Sequence, residues 1–255
     1  AASYAELILL ATEGRWAEAE SVATSAATAP DVPAWLRMQA NAVIASALVS
    51  RGAGAAADQR LRAAADSIGG AEGRWYEQAR LLLALAAAEE PRPLSPRVAR
   101  DTMGGAVLLR GLWAAARGDT DGVRTRLDTI ARLPAADRRR LGAGLTAMQA
   151  LVRLRTGRAA EAAALVRPPA AAGENDGTNL DRISSIGLRL IAADAYAAAG
   201  NTDSAAAFGT RALASTRMPP GMLGVRGAAC RLAAGRVNAW RRLAGQSPLG
   251  TGCDA

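Results

Sequence analysis

The side chains that most often carry catalysis are missing from this sequence. It has no histidine, and all 31 of its basic residues are arginine. The usual general base, the Schiff-base amine and the commonest metal ligand are therefore absent. Serines occur, but none sits in a Gly-X-Ser-X-Gly elbow, and no imidazole is present to activate one. Glu89 and Glu90 are neighbouring carboxylates. On a helix, adjacent positions point about 100° apart, so the pair does not face one substrate and reads as a solvated helix end. Asp119-Thr120-Asp121-Gly122 has the oxygens of a calcium loop but lacks the later ligands and the terminal glutamate. Helix capping is the expectation there. Glu174-Asn175-Asp176-Gly177 with Asp181 offers more oxygens, although turn chemistry and capping account for them as well. The two cysteines, Cys230 and Cys253, have neither metal-ligand spacing nor the density of a disulfide framework. Cys230 reads by default as a buried free thiol. Pairing with Cys253 would pin the end of the chain, and only in an oxidising compartment. No cofactor or metal is expected, and an enzyme is not.

Those residues have to be positioned by helices. Half of the 255 residues are apolar but only 4% are aromatic. Alanine dominates, and it loses no side-chain entropy in a helix. No period-two pattern persists long enough to make a sheet, so the class is all-α. The formal net charge of +8 raises the question of a polyanion partner. The arginines are spread over nearly every expected helix, however, and the densest run is Arg138, Arg139 and Arg140. Solvated helix faces in the product of a GC-rich genome explain them more simply. No stretch approaches 18 uninterrupted apolar residues, so no transmembrane segment is expected. Ala1-Ala2 suits the residues after a small-residue cleavage site or after removal of an initiator methionine. The first leaves the chain extracytoplasmic, in the periplasm of a bacterium, and is the reading preferred; the second leaves it cytoplasmic.

One grammar recurs along the chain. An apolar helix meets a glycine turn, and a second helix follows with a small residue five positions after the glycine. The glycines are Gly14, Gly52, Gly118, Gly157 and Gly200, with gaps of 38, 66, 39 and 43 residues. The small residues are Ala19, Ala57, Val123, Ala162 and Ala205. Glycine ends the first helix in the left-handed conformation. Asp119 or Thr120, and Asn201 or Thr202, can cap the next one. The small residue lets the two helices cross closely, and Leu7, Leu10, Leu61, Leu127 and Ile130 fill the space between neighbours. The gap of 66 holds one further, irregular unit. Breaks are expected at Ala29 to Pro33, at Pro91 to Pro96 with Ser95 as an N-cap, at Leu133-Pro134, from Pro168 to Thr178 and at Met218 to Gly221. Thr178 to Asp181 has the form of a capping box. The last helix is expected to stop near Ala234, with a shorter one carrying Trp240.

The strings EGRWAEAE (13–20) and TGRAAEAA (156–163) resemble the tetratricopeptide repeat. Two departures stand out: the unit from Arg74 to Met103 has no glycine turn, and Gly209 sits where a bulky residue is usual. LLRGLWAAARGDT (108–120), GENDGTNLDR (173–182) and STRMPPG (215–221) are similar to repeat regions attached to bacterial serine/threonine kinases and transcriptional regulators. The resemblance implies a right-handed α-solenoid of about six antiparallel helix hairpins over residues 1–245, with a flexible tail over 246–255. It also implies a non-catalytic scaffold or docking module for another protein, as part of a larger membrane-associated or regulatory complex. In such an array the first helix of each pair lines the concave face. Counting back from the glycines places Tyr4, Ile8, Ser46, Leu108, Leu112, Leu151, Leu190 and Asp194 there. The face is mainly apolar and lacks the lysines and asparagines with which tetratricopeptide domains clamp C-terminal carboxylates, so a hydrophobic segment or helix is the expected occupant. The alternative for these residues is packing inside the array. The alternative function is arginine-rich binding of nucleic acid or an anionic membrane surface. Of Trp16, Trp35, Trp75, Trp113 and Trp240, most are expected in the core, and an exposed one would be a candidate contact residue.

Overall fold

The computed structural model describes residues 4–13, 15–29, 31–172, 185–214 and 223–250. Every regular element among them is a helix. The first are α1 (Tyr4–Thr12), α2 (Trp16–Thr28), α3 (Ala34–Ser50), α4 (Gly54–Ile68) and α5 (Gly70–Ala87). Next come α6 (Pro96–Ala99), α7 (Gly104–Ala116), α8 (Thr120–Ala131), α9 (Ala135–Arg140) and α10 (Gly142–Arg155). The last are α11 (Ala159–Ala172), α12 (Ser185–Ala198), α13 (Thr202–Leu213) and α14 (Leu223–Leu243). Gly52, Gly118, Gly157 and Gly200 each fall between two helices that pack on one another, and Gly14 lies outside the described residues. Gly52, Gly118, Gly157 and Gly200 have φ of 76°, 75°, 79° and 79°. At each, the amide one residue beyond the glycine donates to the carbonyl five residues back. Ala53 to Leu48, Asp119 to Ala114, Arg158 to Arg153 and Asn201 to Tyr196 span 2.8 to 2.9 Å. These bonds satisfy carbonyls that the ending helix leaves orphaned. The capping choice falls on Asp119, whose carboxylate accepts from the Gly122 amide at 2.8 Å, and on Asn201, which accepts from Ser204 at 3.0 Å. Ala19, Ala57, Val123, Ala162 and Ala205 are all buried, as close helix crossings require.

Most successive helices pack on one another, α10 reaches back to α7, and the end of the chain returns to its first third. α14 packs on α13 but also on α3 and α5, and α12 touches α5. One buried cluster runs from Met38 to Trp240, and a smaller one joins α1, α2 and α3 through Leu7, Ala23, Leu36 and Ile44. Gly209 is explained by this return. A Cβ there would lie 3.0 Å from Val237 Cγ2 and 3.3 Å from the Trp240 ring, so the missing side chain is what seats α14. Among the described residues no helix is long and apolar enough to cross a membrane.

Several sequence expectations are corrected. Pro168 and Pro169 do not open a break but lie inside α11. Val166 and Ala170, on either side of them, are both buried, so tertiary packing outweighs the lost amide donors. α14 is one helix of 21 residues, not two, because Gly235 is carried through by buried Ala233 and Val237 beside it. Residues just after Gly245 make two hydrogen bonds to α14: Asn238 Oδ1 accepts from the Leu249 amide at 2.7 Å and Arg241 Nε donates to the Ser247 carbonyl at 2.7 Å. Cys230 is buried and is not a free thiol. Cys253, the stretch Glu174 to Asp181 and the break at Met218 to Gly221 lie outside the described residues.

Candidate binding cleft

The irregular middle unit builds the most distinctive local structure. α5 has no glycine at its end, and Ala88 takes the left-handed conformation instead (φ 58°, ψ 31°). The chain then runs without helix to Ser95, which caps α6 by accepting from the Val98 amide. This segment is held from beneath by Arg80, whose side chain is fully buried. Its guanidinium donates to both Asp58 oxygens at 2.7 and 3.1 Å, to Glu77 at 2.5 Å, and to the Pro93 carbonyl at 3.3 Å. It also lies 5.3 Å over the Trp113 ring, and Trp113 Nε1 donates to the Arg92 carbonyl at 2.8 Å. Glu77, equally buried, accepts from the Ser95 amide at 2.8 Å. Burial pushes the Glu77 carboxyl up, against the opposing pull of Arg80 and Ser95. Isolated charges at this depth would each cost several kcal/mol, on the order of the penalties for buried ions. The saturated hydrogen bonding is what makes the cluster tolerable, and its geometric product is a braced loop from Glu89 to Ser95.

Above that brace is a cleft of about 310 Å3 between the α3–α4 turn, the end of α5, the braced loop and α14. Val49, Leu83 and Leu232 form its apolar side, and Asp58, Glu89 and Glu90 its acidic side. Glu89 and Glu90 are solvent-exposed just beyond α5, and Glu90 pairs with Arg117 at 2.8 Å. Arg92, exposed, also lines the cleft; with Asp58 held by Arg80 and Glu90 by Arg117, the charges left facing a visitor are Glu89 and Arg92, of opposite sign.

The residues counted from the glycines lie elsewhere. Ser46, Leu108, Leu112, Leu151 and Leu190 are at most 2% exposed, so they are core side chains and present nothing to a partner. Two of the counted positions, Ser46 and Asp194, are met by α14. Arg231 of α14 donates to the Ser46 carbonyl at 3.2 Å. Arg236 donates to the carbonyls of Leu85 at 2.8 Å and Ala86 at 3.3 Å, and pairs with Asp194 at 2.7 Å. Asp194 is thus an internal tie; burial pushes its carboxyl up to about 6, with Arg236 pulling the other way. The side chains of Tyr4 and Ile8 lie outside those described. Trp75, Trp113 and Trp240 are core, Trp16 lies under the Arg231 guanidinium at 4.5 Å, and Trp35 is 52% exposed.

Compared with known proteins, the chain matches no family model, no curated relative and no solved structure. Its reading rests on its own residues. Among those described, no three His, Cys, Asp or Glu side chains converge on a point where a metal ion could sit. Many arginines do structural work: Arg97 caps α4 through the Ser67 and Ile68 carbonyls, and Arg138 folds back on those of Ala131 and Leu133. The Arg80 cluster itself was not found by sequence reasoning. Glu77 and Arg80 sit at helical i,i+3 spacing, but so do many surface pairs, and Asp58 comes from another helix.

Proposed function

We propose that this chain is a non-catalytic protein-binding module of tetratricopeptide-like construction, a right-handed array of about six antiparallel hairpins, that holds a segment of a partner protein in the cleft above Arg80. The array reading is supported by the four glycine turns with one dihedral and one hydrogen-bond pattern, each followed by a buried small residue. The observation that carries the binding reading is the cleft: a preformed concavity, half apolar, with a few fixed polar groups, has the make-up of a recognition site. Its walls are held by a buried ionic cluster, which lowers the ordering cost of binding. The expected occupant is an extended segment with one apolar side chain against Val49, Leu83 and Leu232, flanked by a lysine or arginine facing Glu89.

A peptide-display selection against the whole chain tests this. Enriched peptides should share an apolar residue beside a basic one. They should lose at least tenfold in affinity toward Ala87→Arg, which fills the cleft, and toward Glu89→Lys, which reverses its rim. Peptides that bind both variants as well as the parent chain would remove the cleft from consideration.

A further inference from the structure

At the other end of the α3–α4 pair lies a second cleft, of about 370 Å3, whose charged lining is basic. Its polar lining is Arg37 and Asn41 from α3 and Arg60 and Ser67 from α4, and the remaining lining is alanine with Ile68. Asn41, only 7% exposed, organises it. Its amide nitrogen donates to the Arg37 carbonyl at 2.9 Å and to the Tyr76 hydroxyl at 3.1 Å, while its oxygen accepts from Arg60 Nε at 2.8 Å. Arg37 is held separately, by Nη1 donating to the Val32 carbonyl at 2.6 Å. Each guanidinium is therefore anchored through one nitrogen and keeps its other donors. Neither has a carboxylate at ion-pair distance among the described residues, whereas Arg15, Arg51, Arg74, Arg80, Arg117 and Arg236 all do. Both charges are felt at one point: burial pushes the Tyr76 hydroxyl up to about 12, and Arg37 and Arg60 each oppose that rise. Glu72 acts on Tyr76 in the other direction more weakly and makes no hydrogen bond to either arginine.

We infer that this cleft is an anion site for a phosphate-type oxyanion, gripped between Arg37 and Arg60. A single carboxylate is satisfied by one guanidinium fork. Two forks from different helices suit a doubly charged group with three terminal oxygens. The volume leaves room for whatever carries the group, so its source is either the free ion or a phosphorylated side chain of a partner.

Titration calorimetry on the whole chain at constant ionic strength decides it. Inorganic phosphate should bind saturably. Arg37→Gln and Arg60→Gln should each weaken it at least tenfold, while Arg140→Gln, on exposed α9, should change it less than twofold. Circular dichroism melts of the variants separate loss of the site from loss of the fold. Phosphate affinity equal in all four proteins, or heat that chloride reproduces, overturns the assignment. A phosphoserine peptide that binds at least tenfold tighter than inorganic phosphate places the group on a partner protein, and one no tighter identifies the free ion. An unphosphorylated copy that binds as well as the phosphopeptide would also overturn it.

Discussion

Replacing Arg80 by methionine tests the physical basis of the brace. The substitution keeps most of the side-chain volume and removes the guanidinium from between Glu77 and Asp58, which it meets at 2.5 and 2.7 Å. Asp58 is 22% exposed and can turn to water, but Glu77 is fully buried and retains only its hydrogen bonds with Ser95. Leaving such a charge unpaired costs about 3 to 5 kcal/mol near neutral pH. The cost must depend on pH, because Glu77 can escape it by binding a proton. Its folded-state pKa already lies above the ordinary value of 4.5, and losing Arg80, which holds it down, raises it further. A carboxyl with a raised folded pKa binds more protons folded than unfolded, so stability falls as pH rises above about 4.5. That fall should be steeper and extend to higher pH in Arg80→Met than in the parent chain. Adding Glu77→Gln, which still accepts from Ser95, should recover about 2 kcal/mol or more at pH 7 and flatten the slope. Urea unfolding followed by tryptophan fluorescence at pH 5 and pH 7 reads all three proteins, since Trp113 lies under the guanidinium. A loss below about 1 kcal/mol at pH 7, or a loss equal at both pH values, would refute the account.

Asp194 should make its own contribution to the pH profile: its carboxyl is pushed up to about 6 from 3.8, so stability should decline by at most about 3 kcal/mol as pH rises across that interval. Asp194→Asn should flatten the melting temperature over the same range, and parallel profiles would count against it. Gly209→Leu should cost about 1 to 3 kcal/mol or more by driving side-chain atoms into Val237 and Trp240, read as a lower urea midpoint. Ala88→Gly should be neutral or stabilising by up to about 1 kcal/mol, since it relieves a left-handed alanine; a clear loss would mean that the Ala88 methyl packs usefully.

Much of this molecule is legible along the chain because its information is local. Glycine turns, small residues five positions later and caps such as Ser95 and Asp119 act over one or two helical turns, and each takes the predicted conformation or burial where the structure describes it. The helical class follows from alanine and from the lack of any period-two pattern. Long-range packing decided the rest. Two prolines stay inside α11 because Val166 and Ala170 are buried around them, which no local propensity encodes. The stripe counted from the glycines is apolar in either case, whether it faces a partner or the chain's own last helix. Only tertiary packing made it interior: α14 returns to α3 and α5, tied by Arg236, while α10 packs on α7 with Gly144 against Leu108. The two clefts are likewise products of tertiary structure. Asp58 and Arg80, or Arg37 and Arg60, are about 22 and 23 residues apart and carry no spacing signal. Local sequence sets the glycine turns and caps, but which side chains meet is a property of how those helices close on one another.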